Sequence, residues 1–394
     1  MPNRSLAMSI FNIGVRQIKF SMKKTLIGAS VAAAALLATS NVLAQAVYKI
    51  GVAGPMTGGI AAYGEEMRKG AQQAADDINA AGGINGKKVE IVIGDDACEP
   101  KQAVTVASRL IEKDKVNVVV GHFCSSSTIP ASEAYAEADM LMITPASTNP
   151  KVTERNLPNV LRTCGRDDQQ GFVAGNYIVD ILKSKRVVLI HDKDTYGQGV
   201  ANATQAQLNK RGLKEIMYEG LTRGEKDYNA LVTKIKSANA DLIHFSGLSS
   251  EAGTLLRQVR EQGLNIQVMV TDGAVEETFA TAAGGKPVLK GVLVTFGEDH
   301  RLIPDGKAVV ERIRKGGFEP AGFTLYTYAG VQVAAAALKG ANSSSGATMA
   351  KWIKANTIPT ILGKKSWDAK GDLTSAAYVV SVYKDDGTYV RVSK

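Results

Sequence analysis

Two apolar segments of the chain, residues 116–120 and 141–144, are each followed by side chains that could bind a carboxylate group. The hydroxyl groups of Ser125–Thr128 follow the first segment, and Ala146-Ser147-Thr148 follows the second. Short β-branched apolar runs are typical of buried strands, and ligands of open α/β sheets bind beyond the carboxyl ends of the strands. The helix predicted at 129–139 would add unpaired N–H groups and the positive end of its dipole. The pattern favours an anion site, with simple capping of the helix as the alternative.

Residues that could support catalysis are scattered. No HExxH motif or helix-spaced metal pair is present, no G-x-S-x-G motif occurs, and the four histidines fall in separate segments: His122, His191, His244 and His300. His122 is close to Cys124, but a disulfide at Cys124 would remove the thiolate that a Cys–His pair needs. The sequence therefore predicts a binding protein, without enzymatic activity, metal or cofactor.

The first 46 residues differ from the rest of the chain. They contain five basic residues and no acidic residue, an apolar alanine-rich segment at 26–37, and a small-x-small site at Ala44-Gln45-Ala46. This pattern is typical of a secretory signal peptide, and its apolar part is too short to span a bilayer stably. We expect a soluble periplasmic protein that begins near Val47. Residues 1–21 are interpreted as an upstream extension before a start at Met22.

The remaining composition is that of a soluble globular protein. The chain has 394 residues, 45% hydrophobic and 22% charged, which is enough for two domains. Its formal net charge is +9, and loss of the five basic residues in 1–46 would leave +4. Because no long basic run or aromatic-basic pattern follows, we expect no binding to nucleic acid.

Strands alternate with helices along the chain, which predicts parallel sheets covered by helices on both faces. Residues 82–88 are rich in glycine, but they follow a helix and lack phosphate-loop spacing, so they are interpreted as a turn. Further strands are predicted at 48–53, 89–93, 160–164, 186–191, 215–218, 242–245, 267–271 and 291–295, with a terminal hairpin at 377–382 and 389–392.

Several segments resemble the leucine/isoleucine/valine-binding proteins, the periplasmic receptors of branched-chain amino-acid ABC transporters. They include GHFCSSSTIPAS, MLMITPAST, GDDACEPKQAV, LRTCGRDDQQG, HDKDTYGQG and WDAKGDL. The resemblance implies a type I periplasmic binding protein fold, with two doubly wound Rossmann-like α/β lobes joined by three crossovers. It implies a first lobe of 47–164 plus 297–375 and a second lobe of 165–296 plus 376–394.

The resemblance also implies a clamp for a free amino acid. Ser125 and Thr148 would hold its carboxylate, the backbone of Ala146 its ammonium group, and Tyr196 and Asp272 would close from the second lobe. Asp272 stands where the family usually has glutamate. Ser147 belongs to the same predicted set, and the wall around the side chain would comprise Tyr63, Phe123, Cys124, Leu248 and Phe323. Taken singly, Tyr63, Phe123 and Phe323 could also be ordinary packing residues.

The three cysteines fit an exported protein, since disulfides persist outside the cytoplasm. The resemblance pairs Cys98 with Cys124, which would stabilise the fold by roughly 3–4 kcal/mol. Cys164 would be a buried, inert thiol. The implied function is capture of leucine, isoleucine or valine by a monomer and delivery to a membrane permease. The alternatives are a receptor for another small amino acid or carboxylate, and a ligand-sensing domain without a transport role.

Overall fold

The computed structural model describes residues 47–392, and its first sheet contains five parallel strands in the order β2-β1-β3-β4-β5. The strands are β1 (Tyr48–Gly54), β2 (Val89–Asp95), β3 (Val118–Gly121), β4 (Met142–Thr144) and β5 (Val160–Arg162). We call the part of the protein built on this sheet the first lobe. All residues of β3, β4 and β5 are buried, as expected for parallel strands that carry helices on both faces.

The second sheet has seven strands in the order β14-β13-β10-β9-β8-β6-β7, and the part built on it is the second lobe. Strands β7, β6, β8, β9 and β10 are parallel, whereas β13 pairs antiparallel with β10 and with β14. A separate two-stranded hairpin, β11–β12, was not predicted because each of its strands has only three residues. The bounds are β6 (Val187–His191), β7 (Met217–Gly220), β8 (Leu242–Ser246), β9 (Gln267–Val270), β10 (Leu293–Gly297), β11 (Ile358–Thr360), β12 (Gly363–Lys365), β13 (Tyr378–Tyr383) and β14 (Tyr389–Arg391).

The α-helices cover both faces of the sheets. Helices α10 and α11 both contact α1, so the chain returns to the first lobe after β10. The bounds are α1 (Ala61–Ala80), α2 (Pro100–Ser108), α3 (Ser125–Glu137), α4 (Lys151–Glu154), α5 (Asp167–Tyr177), α6 (Thr195–Lys210), α7 (Asn229–Ser237), α8 (Ser249–Glu261), α9 (Glu277–Ala283), α10 (Pro304–Lys315), α11 (Thr324–Gly340) and α12 (Gly346–Lys354).

The chain passes between the two sheets three times, after β5, after β10 and before β13. The predicted pair of doubly wound α/β lobes with three crossovers is thereby confirmed, as is the terminal hairpin of β13 and β14. The strand predicted at 291–295 is β10, an integral strand of the second sheet that runs on through Gly297. The predicted signal peptide lies outside the described residues.

Helix α3 begins earlier than predicted. We expected it from residue 129, with Ser125–Thr128 in a loop, but Ser125 is already the first helical residue. The prediction followed the preference of serine and threonine for caps and turns. Here the Cys124 carbonyl accepts hydrogen bonds from the N–H groups of Ser127 and Thr128, at 3.0 and 2.9 Å, and these bonds close the first turn. The helix N-terminus therefore lies nearer to the end of β3 than the sequence indicated.

Within residues 47–392, no helix is both long and apolar enough to cross a membrane. Nor do these residues contain a group of three or more His, Cys, Asp or Glu side chains arranged to hold a metal ion.

Candidate ligand-binding site

A cavity lies between the lobes, at the carboxyl ends of the strands of both sheets. Eight of the eleven predicted ligand residues line it, and Asp194, Arg223 and Gly273 line it without having been predicted. The lining consists of Phe123, Cys124, Ser125, Ala146 and Phe323 from the first lobe and Asp194, Tyr196, Arg223, Leu248, Asp272 and Gly273 from the second. Strands and helices far apart in the sequence thus meet at one site.

The first lobe contributes the N-terminus of α3. Ser125 is 1% exposed, and its Oγ accepts a hydrogen bond from the Asn149 N–H at 3.3 Å. The N–H groups of Ser127 and Thr128 bond to the Cys124 carbonyl, whereas the N–H groups at the very start of a helix lack such partners and the dipole favours negative charge there. This end of the cavity can therefore hold a carboxylate without a full positive charge.

Ser147 ties the two loops of the first lobe together and does not line the cavity. Its Oγ lies 2.5 Å from Thr128 Oγ1 and can donate to the backbone carbonyls of His122 at 3.1 Å and Phe123 at 2.8 Å. The hydroxyl is thus fully engaged with protein atoms. We interpret Ser147 as a residue that fixes the loops, in place of the ligand contact implied by the resemblance.

A buried network of hydrogen-bonded polar side chains stabilises the same loops. His122 Nδ1 lies 2.5 Å from Asp96 Oδ2, and His122 Nε2 lies 3.0 Å from the Tyr135 hydroxyl. The predicted disulfide between Cys98 and Cys124 is present, with the Cα atoms 5.6 Å apart. Because both ring nitrogens of His122 have partners and Cys124 is oxidised, these residues cannot act as a nucleophilic pair.

Cys164 is a free, buried thiol, as predicted. Burial raises its pKa to about 12, so the thiolate form that reacts with electrophiles is scarce at neutral pH.

Asp272 provides the negative charge on the opposite side of the cavity. It follows β9 and is 2% exposed. The Tyr196 hydroxyl donates to its Oδ1, and the Tyr378 hydroxyl lies 3.4 Å from its Oδ2. Burial raises the pKa of Asp272 to about 6, so most of the carboxyl group is ionised at neutral pH. It is therefore suited to a ligand ammonium group.

Asp167 is a second buried carboxyl group, which the sequence reasoning missed. It is 1% exposed, and its carboxyl group interacts with the Thr148 side chain. Its backbone N–H donates to the Thr148 carbonyl at 3.0 Å. Burial, reinforced by the charge of Asp272, raises its pKa to about 8. An acidic residue at the start of a helix is ordinarily explained by the helix dipole, so the sequence offered no separate signal.

Thr148 adjoins Asp167 and does not line the cavity in this closed arrangement. The Thr148 hydroxyl is buried, and its interaction with the Asp167 carboxyl group lowers the pKa of Asp167, against the effect of burial. Buried polar groups normally have partners. The two side chains therefore form a small buried polar pair.

Arg223 and Asp194 also went unpredicted, because both lie in loops without periodicity. Arg223 forms ion pairs with Asp192 at 2.7 Å and with Asp194 at 3.2 Å. Its Nη1 lies 3.8 Å from Cys98 Sγ in the first lobe. The two carboxylates more than offset the single positive charge of Arg223, so its contact with the disulfide joins the lobes without adding net positive charge to the cavity.

Aromatic rings form the apolar wall. The Phe123 and Phe323 ring centroids are 5.0 Å apart, and the Tyr63 ring lies 4.7 Å from Phe123. Phe123, Phe323 and Leu248 line the cavity, but Tyr63 does not. The Tyr63 ring packs against the Phe123 ring, and its hydroxyl group forms hydrogen bonds with Ser249 and Gly273 of the second lobe.

This arrangement joins a helix N-terminus, a buried carboxyl group and an apolar wall between two α/β lobes. A family model described as periplasmic binding protein matches residues 47–388. The chain belongs to the periplasmic binding protein family, and its fold is the type I fold of that family.

Individual relatives narrow the comparison. The chain is 61% identical over 351 residues to an amino acid binding protein of Pseudomonas aeruginosa, covering 89% of this chain and 93% of the relative. It is 45% identical over 371 residues to the Leu/Ile/Val-binding protein homolog 1 of Brucella suis, covering 93% and 99%.

Among solved structures, the chain is similar to the branched-chain amino acid transporter substrate binding protein LivJ of Streptococcus pneumoniae, in complex with isoleucine. The TM-score is 0.80 at 29% identity, with 87% of this chain and 98% of that one covered.

Proposed function

We propose that this protein captures leucine, isoleucine or valine between its two lobes and delivers the amino acid to the permease of an ABC transporter. One observation carries the proposal: a single cavity has the N-terminus of α3 on one side, Asp272 on the other, and Phe123, Phe323 and Leu248 between them. These are the three kinds of contact that a zwitterion with an apolar side chain requires. The similarity to proteins named for leucine, isoleucine and valine supports it.

The ligand carboxylate would bind at Ser125 and the first N–H groups of α3. This end is assembled within the first lobe, so it is available before the lobes close. Neutral donors and a helix dipole match the charge of one carboxylate, and the charge of Arg223 is already balanced by Asp192 and Asp194. A second carboxylate on the ligand would lack such a partner.

The ligand ammonium group would bind to Asp272, with the Ala146 carbonyl as acceptor and with Thr148 and Asp167 close by. The buried carboxyl groups of Asp167 and Asp272 support this placement, because a nearby ammonium group favours the charged form of a carboxyl group. An enclosed charge that lacks a counter-charge is costly. A ligand without an ammonium group should therefore bind poorly.

A smaller amino acid is the second candidate ligand. The Phe123 ring, 5.0 Å from Phe323, narrows the apolar part of the cavity, and Leu248 shapes its other side. Both classes of ligand would use the same carboxylate-binding and ammonium-binding ends of the cavity. Only the fit of the ligand side chain would therefore discriminate between them.

A thermal-shift screen of the twenty amino acids, followed by calorimetry, tests the proposal. A ligand that binds only the folded protein raises its stability by mass action. We expect leucine, isoleucine or valine to give the largest rise in melting temperature. A largest shift with glutamate or arginine would contradict the branched-chain proposal, and a largest shift with alanine or threonine would favour the second candidate.

Delivery to a permease places the protein outside the cytoplasm. We propose that residues 1–46 are removed on export and that the mature protein is a periplasmic monomer that begins near Val47. We also propose lobe boundaries of 47–164 plus 298–375 and 165–297 plus 376–394, one residue from those implied by the resemblance because Gly297 belongs to β10. Intact-mass measurement of the exported protein and sedimentation analysis test the start and the oligomeric state.

A further inference from the structure

The hydroxyl group of Tyr63 connects the two lobes. Tyr63 lies in α1 of the first lobe and is 1% exposed. Its hydroxyl is 2.6 Å from the Gly273 carbonyl and 2.7 Å from Ser249 Oγ, and it accepts the Ser249 N–H at 3.2 Å. Both partners belong to the second lobe, Ser249 at the start of α8 and Gly273 after β9. These hydrogen bonds exist only while the lobes are closed.

The residues that Tyr63 contacts hold the charged side of the cavity. Gly273 directly follows Asp272, and its N–H donates to the Tyr196 hydroxyl at 2.9 Å. A Cβ atom at Gly273 would lie 2.3 Å from the Gly247 carbonyl oxygen and 2.9 Å from the Tyr196 ring. The turn at Asp272–Gly273 is thus closely packed within the second lobe. The Gly273 carbonyl accepts a hydrogen bond from the Tyr63 hydroxyl of the first lobe.

We propose that Tyr63 is a latch, a positioning residue whose hydroxyl holds the Asp272–Gly273 turn against the first lobe without contacting the ligand. The proposal rests on the proposed function, since it assigns Asp272 to the ligand ammonium group. It replaces the role expected from the sequence, in which Tyr63 lined the side-chain pocket. The Tyr63 ring still backs Phe123 and Phe323, at centroid distances of 4.7 and 6.4 Å.

A latch of this kind has a thermodynamic signature. Contacts between the lobes stabilise the closed state whatever the ligand is, and the apparent affinity scales with the fraction of protein that is competent to bind. Loss of the latch should therefore weaken every ligand by the same factor. It should mainly increase the dissociation rate, because release requires the lobes to separate.

The test compares wild-type protein with Tyr63→Phe, which removes the hydroxyl and keeps the ring. The matched control is Tyr328→Phe, because the Tyr328 hydroxyl donates to Asp77 Oδ2 at 2.7 Å within the first lobe. Calorimetry and stopped-flow measurements would use at least two amino acids that bind the wild type and differ in side-chain size. We expect Tyr63→Phe to weaken all of them equally, by about threefold to tenfold, and Tyr328→Phe to leave affinity unchanged.

Ser249→Ala provides an independent variant on the other lobe. Its effect combined with Tyr63→Phe should be less than additive, since both changes break the same contact. Unequal losses across ligands would show that Tyr63 contacts the side chain and would overturn the latch, as would a Tyr63→Phe affinity equal to that of Tyr328→Phe. If the screen identifies a ligand outside the branched-chain group, the proposed function fails while the same comparison with that ligand still decides the role of Tyr63.

Discussion

The two polar ends of the cavity differ in how they are built and in the charge that they carry. The end at Ser125 belongs to one lobe and is held by a disulfide, by the hydrogen bonds of Ser147 and by the buried pair of Asp96 and His122. The end at Asp272 depends on contacts from both lobes, and its carboxyl groups have raised pKa values because they are buried. The first end uses neutral donors, whereas the second encloses charge.

We propose an order of events from this difference. The first lobe would hold the ligand carboxylate while the cleft is open, and closure would then bring Asp272 to the ammonium group. At the first end several donors share one carboxylate, whereas at the second end Asp272 supplies the counter-charge. Variants that remove the supports of the first end, such as the disulfide and Ser147, should therefore act mostly on fold stability, and variants at Asp272 mostly on ligand affinity.

The largest effect on stability should follow loss of the disulfide. Cys98→Ser combined with Cys124→Ser removes the crosslink below the Ser125 end, and we expect the free energy of unfolding to fall by about 3–4 kcal/mol. Urea unfolding of the two proteins measures the change. Cys164→Ala, which removes the free thiol and keeps the disulfide, is the control. A double variant as stable as wild type would show that the preformed end does not depend on this crosslink.

The largest effect on affinity should follow Asp272→Asn. The change removes the negative charge at nearly constant shape, and a hydrogen bond to a charged group contributes about 1.5–3 kcal/mol, so leucine should bind roughly 10- to 150-fold more weakly. Calorimetry with leucine and with 4-methylpentanoate, which lacks the ammonium group, measures the coupling. The Asp272→Asn substitution should weaken the binding of 4-methylpentanoate only slightly. The control Asp385→Asn, at an exposed site of the second lobe, should leave the affinity for both ligands unchanged. Equal leucine affinity in the wild type and in Asp272→Asn would remove Asp272 from the site.

Ligand binding should release protons. A bound ammonium group lowers the pKa of nearby carboxyl groups, and the ligand-free protein has Asp167 at about 8 and Asp272 at about 6. Affinity should therefore rise with pH toward 8, by at most about tenfold per pH unit for each proton released. Calorimetry in buffers of different ionisation enthalpy counts the protons. Asp167→Asn should remove the part of the rise between pH 6 and 8, and an unchanged profile in that variant would place Asp167 outside the ammonium site.

The same carboxyl group should affect the stability of the ligand-free protein. The pKa of Asp167 is raised in the folded state, so the unfolded chain ionises first and stability falls as pH increases from about 4 to 8. The Asp167→Asn variant has no carboxyl group at this position, so its stability should not fall for this reason as the pH increases. We expect the variant to gain stability relative to wild type at pH 8 and to match it near pH 4, as measured by urea unfolding at both values. A constant difference between the two proteins across that range would contradict this.

Much of this site followed from local sequence, and the exceptions share a cause. Apolar runs ending in hydroxyl residues placed Ser125 and Ala146 beside each other, because periodicity and strand order are local properties. Asp272, Tyr196 and the Cys98–Cys124 pair required the family resemblance, since nothing in their spacing indicates that they meet. Asp167 could not be distinguished from an ordinary helix-start acid until its burial was known.

The differences between the expected and observed positions have a similar origin. The resemblance assigned Tyr63 and Ser147 to the ligand from their positions in matching segments, but segment matching does not show where a hydroxyl group points. The geometry directs the Tyr63 hydroxyl to Gly273 and the Ser147 hydroxyl to backbone carbonyls of the neighbouring loop. Arg223 was missed because a loop arginine with two acidic partners has no sequence signature.

The smallest expected effect on affinity distinguishes two hydroxyl groups of the preformed end. Ser125→Ala removes one of several donors that share the ligand carboxylate, so the remaining N–H groups of α3 should compensate in part. We expect a loss of about 0.5–1.5 kcal/mol, so that leucine binds roughly two- to tenfold more weakly with little change in stability. Ser147→Ala should do the reverse, because it leaves the buried His122 and Phe123 carbonyls with fewer donors and should lower the free energy of unfolding by about 1–3 kcal/mol. Calorimetry and urea unfolding on both variants give the two quantities side by side. If Ser147→Ala binds leucine more weakly and is as stable as wild type, then Ser147 contacts the ligand directly, as we propose for Ser125.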